Sequence, residues 1–203
     1  NPALCNELVQ ALADAVANGT GGIVLSGGPK VFSAGLDVPY LLSLGDDQAA
    51  LLRAWTAFFD AARALLESPV PVVAALAGHS PAGGCVLALC CDYRIMAEGP
   101  YRIGLNETQV GLVAPEGIQA LLARCVGRHR AERLLVAGAM VDAAEALRIG
   151  LVDELAGIDG VEARAVAWLE DLLRLPRTPM LETRRIARAD AVVARGILRE
   201  FKR

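Results

Sequence analysis

The sequence predicts an α/β domain built on parallel strands, and three observations lead there. Short apolar runs bounded by glycine or proline recur along the chain as "GGIVLSGG", "SPVPVVAALAG" and "YRIMA". The segments between them carry apolar residues at helical spacing. Strands alternating with helices of this length pair in parallel, because a parallel partner is reached only through a long crossover. With 203 residues and 54% hydrophobic content, the chain has ample apolar surface for a core.

Each element has its own signal. Leu4, Leu8, Val9, Leu12 and Val16 predict an amphipathic helix over 3–17. "GGIVLSGG" is a short buried strand that runs into the loop "PKVFSAGLD". Residues 47–67 form a second helix, with Leu51, Leu52, Trp55, Phe58, Phe59, Ala62 and Leu65 on its inner side. Pro69 and Pro71 suit the beginning of the strand that follows them, not its middle. The run 84–91 is apolar on all sides and is expected as a short buried helix. "YRIMA" is a further strand, followed by several helical stretches and a short strand at 150–155. Two C-terminal helices are separated by Pro176 and Pro179.

Composition excludes several classes. A net charge of −3 offers no attraction for nucleic acid or an anionic membrane. No apolar stretch is long enough to span a bilayer, so no membrane insertion is expected. The five cysteines lack paired spacing, and three of them lie inside the apolar run, where cysteine acts as a small hydrophobe. Only His79 and His129 are present, with no metal-ligand spacing, so no metal site is expected. The cysteine usage fits a reducing compartment. The preference for arginine over lysine, with Lys30 and Lys202 the only lysines, points to a bacterial cytoplasm more than a mitochondrial matrix. Positive charge gathers after Arg177, at Arg184, Arg185, Arg188, Arg195, Arg199, Lys202 and Arg203. A solvated helix face is the plainer reading, and partial contact with substrate phosphates is the sharper one.

The stretch "GHSPAGGCVLALCCDYR", residues 78–94, carries the chemistry. A nucleophilic serine in a tight turn needs small residues two places before and after it, and the N–H that follows it for the oxyanion. Gly78 meets the first condition. Pro81 fails the last, because proline has no N–H. Backbone is what this segment offers instead. Gly83 and Gly84 open a buried helix, where the first N–H groups lack intrahelical partners and a substrate oxygen meets no Cβ. Close packing of helix on strand would call for the same glycines. A second strand-end loop with a glycine, "VFSAGLD", offers another N–H for one carbonyl oxygen.

"FSAGLD" followed by "PVVAALAGHSPAGGCVLALCCDYRIMA" resembles the crotonase (enoyl-CoA hydratase/isomerase) superfamily. "IGLNETQVGLVAP" and "GRHRAERLLVAGAMVDAAEALRIGLVDEL" are most similar to its mitochondrial-type Δ3,Δ2-enoyl-CoA isomerases. The resemblance implies a spiral of ββα units over residues 1–155, with 156–203 a helical region of the same domain. It also implies a first hairpin ahead of Asn1, and a homotrimer. The implied substrate is an acyl-CoA thioester, with no cofactor, since CoA is part of the substrate. By position, the oxyanion donors are the N–H groups of Leu36 and Gly83. Acyl-CoA contacts fall on Ala34, Gly35, Leu36, Asp37 and Val38, with Asn106 orienting the loop or touching substrate.

The carboxylate count sets the expected reaction. Hydratases of this family carry two glutamates to manage water; here one position holds Val86 and the other Glu107. Moving a double bond from C3 to C2 needs a single base that takes a C2 proton and returns it at C4. Glu107 is therefore the expected catalytic residue. Glu116, in "GLVAPEG", is the alternative second acid that would admit hydration or another thioester reaction. A non-catalytic acyl-CoA-binding subunit is the alternative outside enzymology. Since Ser80 lacks the machinery of a nucleophile, a fluorophosphonate probe is expected to leave the protein unlabelled; stoichiometric labelling, read by mass, would restore the hydrolase reading.

Overall fold

The structure, a computed structural model, describes residues 1–191. Helix α1 (Pro2–Ala17) starts where the Asn1 side chain accepts the Leu4 N–H at 3.1 Å, with Pro2 pre-set for the first turn. The chain then alternates between two sheets. It passes through β1 (Ile23–Ser26) and β2 (Lys30–Val31), then helices α2 (Val38–Ser43) and α3 (Gln48–Leu66). Asp37 and Asp47 cap these two helices, accepting the N–H groups of Tyr40 at 3.0 Å and Ala50 at 2.9 Å. The next circuit is β3 (Val72–Leu76), β4 (Gly78–Pro81) and α4 (Gly83–Cys90). A third is β5 (Tyr93–Ala97), β6 (Arg102–Gly104), a 3-10 turn at Glu107–Val110, and α5 (Glu116–Val126). Helix α6 (Arg128–Ala137), β7 (Val141–Asp142), α7 (Ala143–Ile149) and β8 (Glu154–Ala156) follow, before α8 (Val161–Leu173) and α9 (Arg177–Ala187).

One sheet has the order β1-β3-β5-β8 and is parallel throughout. The other runs β2-β4-β6-β7, parallel except for the antiparallel β6–β7 pair. Each circuit lays one strand in each sheet and returns by helix. This is the ββα spiral of the crotonase fold. Only Ala77 separates β3 from β4, so the two sheets stay adjacent wherever the chain crosses.

Strand β3 shows why the core is where it is. Val72, Ala74 and Leu76 join the main cluster with α3 and α4, while Val73 and Ala75 join a second cluster under α8. A strand buried on both faces must be apolar at every position, and all five residues are. Tyr93 stacks on Trp168 at 4.3 Å between ring centroids, which fixes α8 against β5.

Several expectations need correction. The segment "GHSP" is a strand, β4, not a turn, because Ser80 and Pro81 pair with Ile103 and Gly104 of β6. The strand expected at 150–155 begins only at Glu154. Residues 150–153 close α7 instead, with Gly150 left-handed at φ 80° and Leu151 N–H donating to the Ala146 carbonyl at 2.9 Å. Leu52 is 47% exposed, since α3 packs through Ala54, Phe58, Ala61 and Leu65. The short strands β2, β6 and β7 carry too few residues to show a period.

The C-terminal arginines do not all face solvent. Arg184 and Arg188 are largely buried against Asp92, while Arg195, Arg199, Lys202 and Arg203 lie outside the described residues. No described helix is long and apolar enough to cross a membrane. Leu76 is wholly buried in the main cluster, so Leu76→Ala is expected to lower stability by about 3 kcal/mol in urea unfolding; a loss below about 1 kcal/mol would mean that β3 is not a central strand.

Candidate active site

Two adjacent strands of the second sheet, β2 and β4, lead into neighbouring turns. Beyond β2, the segment Phe32–Asp37 turns at Gly35, which is left-handed at φ 87°. Beyond β4, the chain turns abruptly into α4 at Ala82, whose φ of 46° and ψ of −117° are rare for any residue with a Cβ. Two bonds hold that strained turn. The Ala82 N–H donates to the Gly104 carbonyl at 2.8 Å, and the Val86 N–H donates back to the Ala82 carbonyl at 3.0 Å.

The two turns touch. A Cβ on Gly83 would meet the Gly35 Cα and the Phe58 ring at 3.1 Å, and one on Gly84 would land on the Ser33 carbonyl oxygen. Leu36 and Gly83 line the same cavity, and neither N–H has a hydrogen-bond partner among the described residues. Gly83 is the first residue of a helix, so its N–H has no intrahelical acceptor and sits at the positive end of the dipole. Two unpartnered donors at one cavity are suited to an anionic oxygen.

That cavity encloses about 430 Å3. Its walls are apolar: Trp55 and Phe58 from α3, Val86 from α4, Val110 at the end of the 3-10 turn, Leu112 and Val113 beyond it, and Ile118 from α5. The polar side chains among them are Asn106 and Glu107, and Glu107 is the single ionisable one. Glu107 opens the 3-10 turn directly after β6. The turn is anchored from outside, where Thr108 Oγ1 donates to the Leu135 carbonyl at 2.9 Å. The Leu112 N–H closes it by donating to the Glu107 carbonyl at 2.9 Å. Glu107 Oε2 and Asn106 Oδ1 are buried with no hydrogen-bond partner in the protein. Burial pushes the Glu107 carboxyl above the ordinary glutamate value of 4.5, against a smaller downward pull from its own backbone N–H. An orphaned, partly desolvated carboxylate in an apolar cavity is a base waiting for a proton donor.

Ala34, Leu36, Val38, Gly83, Asn106 and Glu107 all reach this cavity, as the sequence led one to expect. Gly35 and Asp37 do not line it. Gly35 makes the turn possible, and Asp37 is engaged as the cap of α2. Glu116 is not brought to Glu107: it is exposed at the start of α5, although its neighbours Pro115 and Ile118 face the cavity. Ser80 is wholly buried with its hydroxyl unpartnered, and His79 accepts the Arg102 N–H at 3.1 Å, so the two form no dyad. Lys30 lies exposed on β2. The strained Ala82 was not anticipated, because alanine carries no signal for a positive φ. Among the described residues no cluster of His, Cys, Asp or Glu could hold a metal ion.

Comparison with known proteins agrees with this geometry. The family model described as Enoyl-CoA hydratase/isomerase matches residues 1–194. The mitochondrial enoyl-CoA delta isomerase 1 of Mus musculus is 41% identical over 157 residues, which is 77% of this chain and 54% of that protein. A probable enoyl-CoA hydratase, echA8 of Mycobacterium leprae, is 33% identical over 98% of this chain and 77% of its own length. Among solved structures, that of human mitochondrial delta3-delta2-enoyl-CoA isomerase superposes with a TM-score of 0.81 at 32% identity, covering 98% of this chain and 82% of the other. The chain spans about half the length of the curated isomerases it matches.

Glu107 binds more protons in the fold than in the unfolded chain once pH passes the ordinary value, so its contribution to stability declines as pH rises through that window. Glu107→Gln is accordingly expected to raise the melting temperature at neutral pH, and to make no difference below the ordinary glutamate value. A lower melting temperature at neutral pH would mean that the carboxylate is paired and stabilising.

Proposed function

The chain belongs to the enoyl-CoA hydratase/isomerase family, and within it we propose a Δ3,Δ2-enoyl-CoA isomerase that works through Glu107 alone. The observation that carries the proposal is the pairing of one orphaned carboxylate, Glu107, with an apolar Val86 in the same cavity. In this reading the thioester oxygen of a 3-enoyl-CoA accepts the N–H groups of Leu36 and Gly83. The Glu107 carboxylate removes a proton from C2, and the electron pair released spreads through a dienolate onto that oxygen. The two N–H groups hold the charge as it forms. Protonated Glu107 then delivers the proton to C4, the double bond settles between C2 and C3, and the carboxylate is regenerated.

Val86 is as informative as Glu107. Hydration needs a second group to activate water, and an apolar wall there favours a dry cavity in which the dienolate is reprotonated on carbon. Dryness also raises the basicity of Glu107, which helps the first proton transfer. No cofactor beyond the CoA of the substrate takes part. The reading extends to a homotrimer in a bacterial cytoplasm, on the strength of the family resemblance and the arginine-rich composition. Hydration is the second reading, favoured by the hydratase-named relative at 33% identity. It has to find its second acid somewhere other than the outward-facing Glu116.

Incubation with a 3-enoyl-CoA and, separately, a 2-enoyl-CoA tests the proposal, with conjugation followed by absorbance and products by mass. Conjugation of the first substrate with no water added to the second is the expected result. Glu107→Gln is expected to reduce kcat by about 10³-fold while acyl-CoA still binds. The acid limb of kcat/KM should fall with a midpoint above 4.5, because only the carboxylate form is a base. A mass gain of one water would favour the hydratase. Binding without turnover, indifferent to Glu107→Gln, would leave a non-catalytic acyl-CoA binder.

A further inference from the structure

Three guanidinium groups gather at the end of α4 remote from Gly83. Arg188 donates to the Cys90 carbonyl at 2.8 Å and to the Cys91 carbonyl at 3.3 Å, and Arg94 donates to the Cys91 carbonyl at 3.2 Å. These carbonyls belong to the last turn of the helix, where no intrahelical donor remains. Asp92 holds Arg188 at 2.9 Å and Arg184 at 2.7 Å, while Asp153 holds Arg94 at 2.8 Å. The side chains of Arg94, Arg188 and Arg184 are only 8%, 11% and 14% exposed. Among these groups three positive charges meet two negative ones.

Stability alone is a poor account of the cluster. Taking ions out of water costs about as much as their pairing returns, and an apolar contact between α9 and the core would serve as well. What an apolar contact does not do is saturate the negative end of α4. That helix has eight residues and is about 12 Å long, and it is buried at all but one of its positions. It is a short rigid rod with guanidinium groups at one end and the Gly83 N–H at the other. The Val86-to-Ala82 bond couples the first turn of the rod to the strained turn before it.

We propose that Arg188 is a positioning residue for the oxyanion donor: by gripping the Cys90 and Cys91 carbonyls from α9, it sets α4 along its axis and leaves the positive end at Gly83 unopposed toward the thioester oxygen. The proposal rests on the reading of the cavity as a thioester site. Arg184 supplies the natural control. It binds the same Asp92 and the Ser68 carbonyl at 2.7 Å, and so helps to dock α9, but it touches no carbonyl of α4.

The experiment measures the carbonyl stretch of carbonyl-labelled hexanoyl-CoA bound to the protein, by difference infrared spectroscopy, beside 3-enoyl-CoA turnover and thermal unfolding. Bound to the parent protein, the thioester carbonyl should shift to lower frequency. With Arg188→Met that shift should shrink and kcat should fall about fivefold, with KM within about twofold, the size expected of a charge at a partly buried helix end. Arg188→Lys, which keeps the charge and a donor group but not the fork, should recover most of both. Arg184→Met should lower the melting temperature while leaving the carbonyl shift in place. The inference is overturned if Arg188→Met keeps the full shift, or if Arg184→Met erodes it equally, since Arg188 would then be no more than a staple for α9. Absence of any shift in the parent protein would instead overturn the thioester reading itself.

Discussion

The structure depends on the close approach of two backbone segments, Ser33–Leu36 and Ala82–Gly84. Side chains are crowded out at the contact: Gly35 and Gly83 face each other with a Cβ at either meeting its neighbour at 3.1 Å, and a Cβ on Gly84 would overlap the Ser33 carbonyl oxygen. Everything around them serves that approach. Strand β2 is two residues long, yet its pairing with β4 brings the two strand ends side by side. Crossing from β3 to β4 over a single residue keeps the second sheet beside the first. Helix α4 is apolar all round because it must be sheathed by α3, α5 and the sheet to stay in place. The outcome is a pair of N–H groups that the fold leaves without acceptors.

Against this apolar frame the polar side chains divide into two kinds. Asp92, Asp153 and the arginines beside them pair with one another and with several backbone groups, with Arg188 Nε left over. Asn106 and Glu107 keep buried oxygens without partners. Leaving a buried acceptor unpaired costs free energy, and a fold under selection for stability alone would have filled the place with a leucine or supplied a donor. The cavity brings two such oxygens together, whereas the other buried unpaired atoms among the described residues, Arg63 Nε, Ser80 Oγ and Arg188 Nε, belong to residues that do not line it. Its neighbours carry the compensation, with Thr108 tying the 3-10 turn to the end of α6.

Much of this was legible beforehand, and the reasons are physical. The helix over 48–66 is long enough for its apolar period to show, and the strand over 72–76 shows as an unbroken apolar run behind two prolines. Strands β2, β6 and β7 do not, since two or three residues define no period and their pairing is dictated by the chain's passage between sheets. The expectation for Glu107 came only from its surroundings in "GLNETQ", because a loop glutamate in isolation is indistinguishable from a solvated one; the structure puts it in the cavity with a buried, unpaired oxygen. Arg188 was misread for the converse reason. Arginines three to four apart on a helix look like a surface face, and nothing local reveals that Asp92 lies almost a hundred residues earlier in the chain.

The backbone at Ala82 has one further chemical result. A strand that turns sharply into a buried helix through a residue at positive φ presents whatever that residue carries to the cavity beside two polarising N–H groups. Here it carries a methyl group, and Ala82 lines the cavity. The potential nucleophiles nearby are withheld: Ser80 is sealed inside β4, and burial pushes the Cys85 thiol far up, which keeps it protonated. A thioester made electrophilic enough to lose a carbon-bound proton is also primed to transfer its acyl group. An inert side chain at the apex of the turn would let the proposed isomerase activate such a substrate without becoming acylated by it.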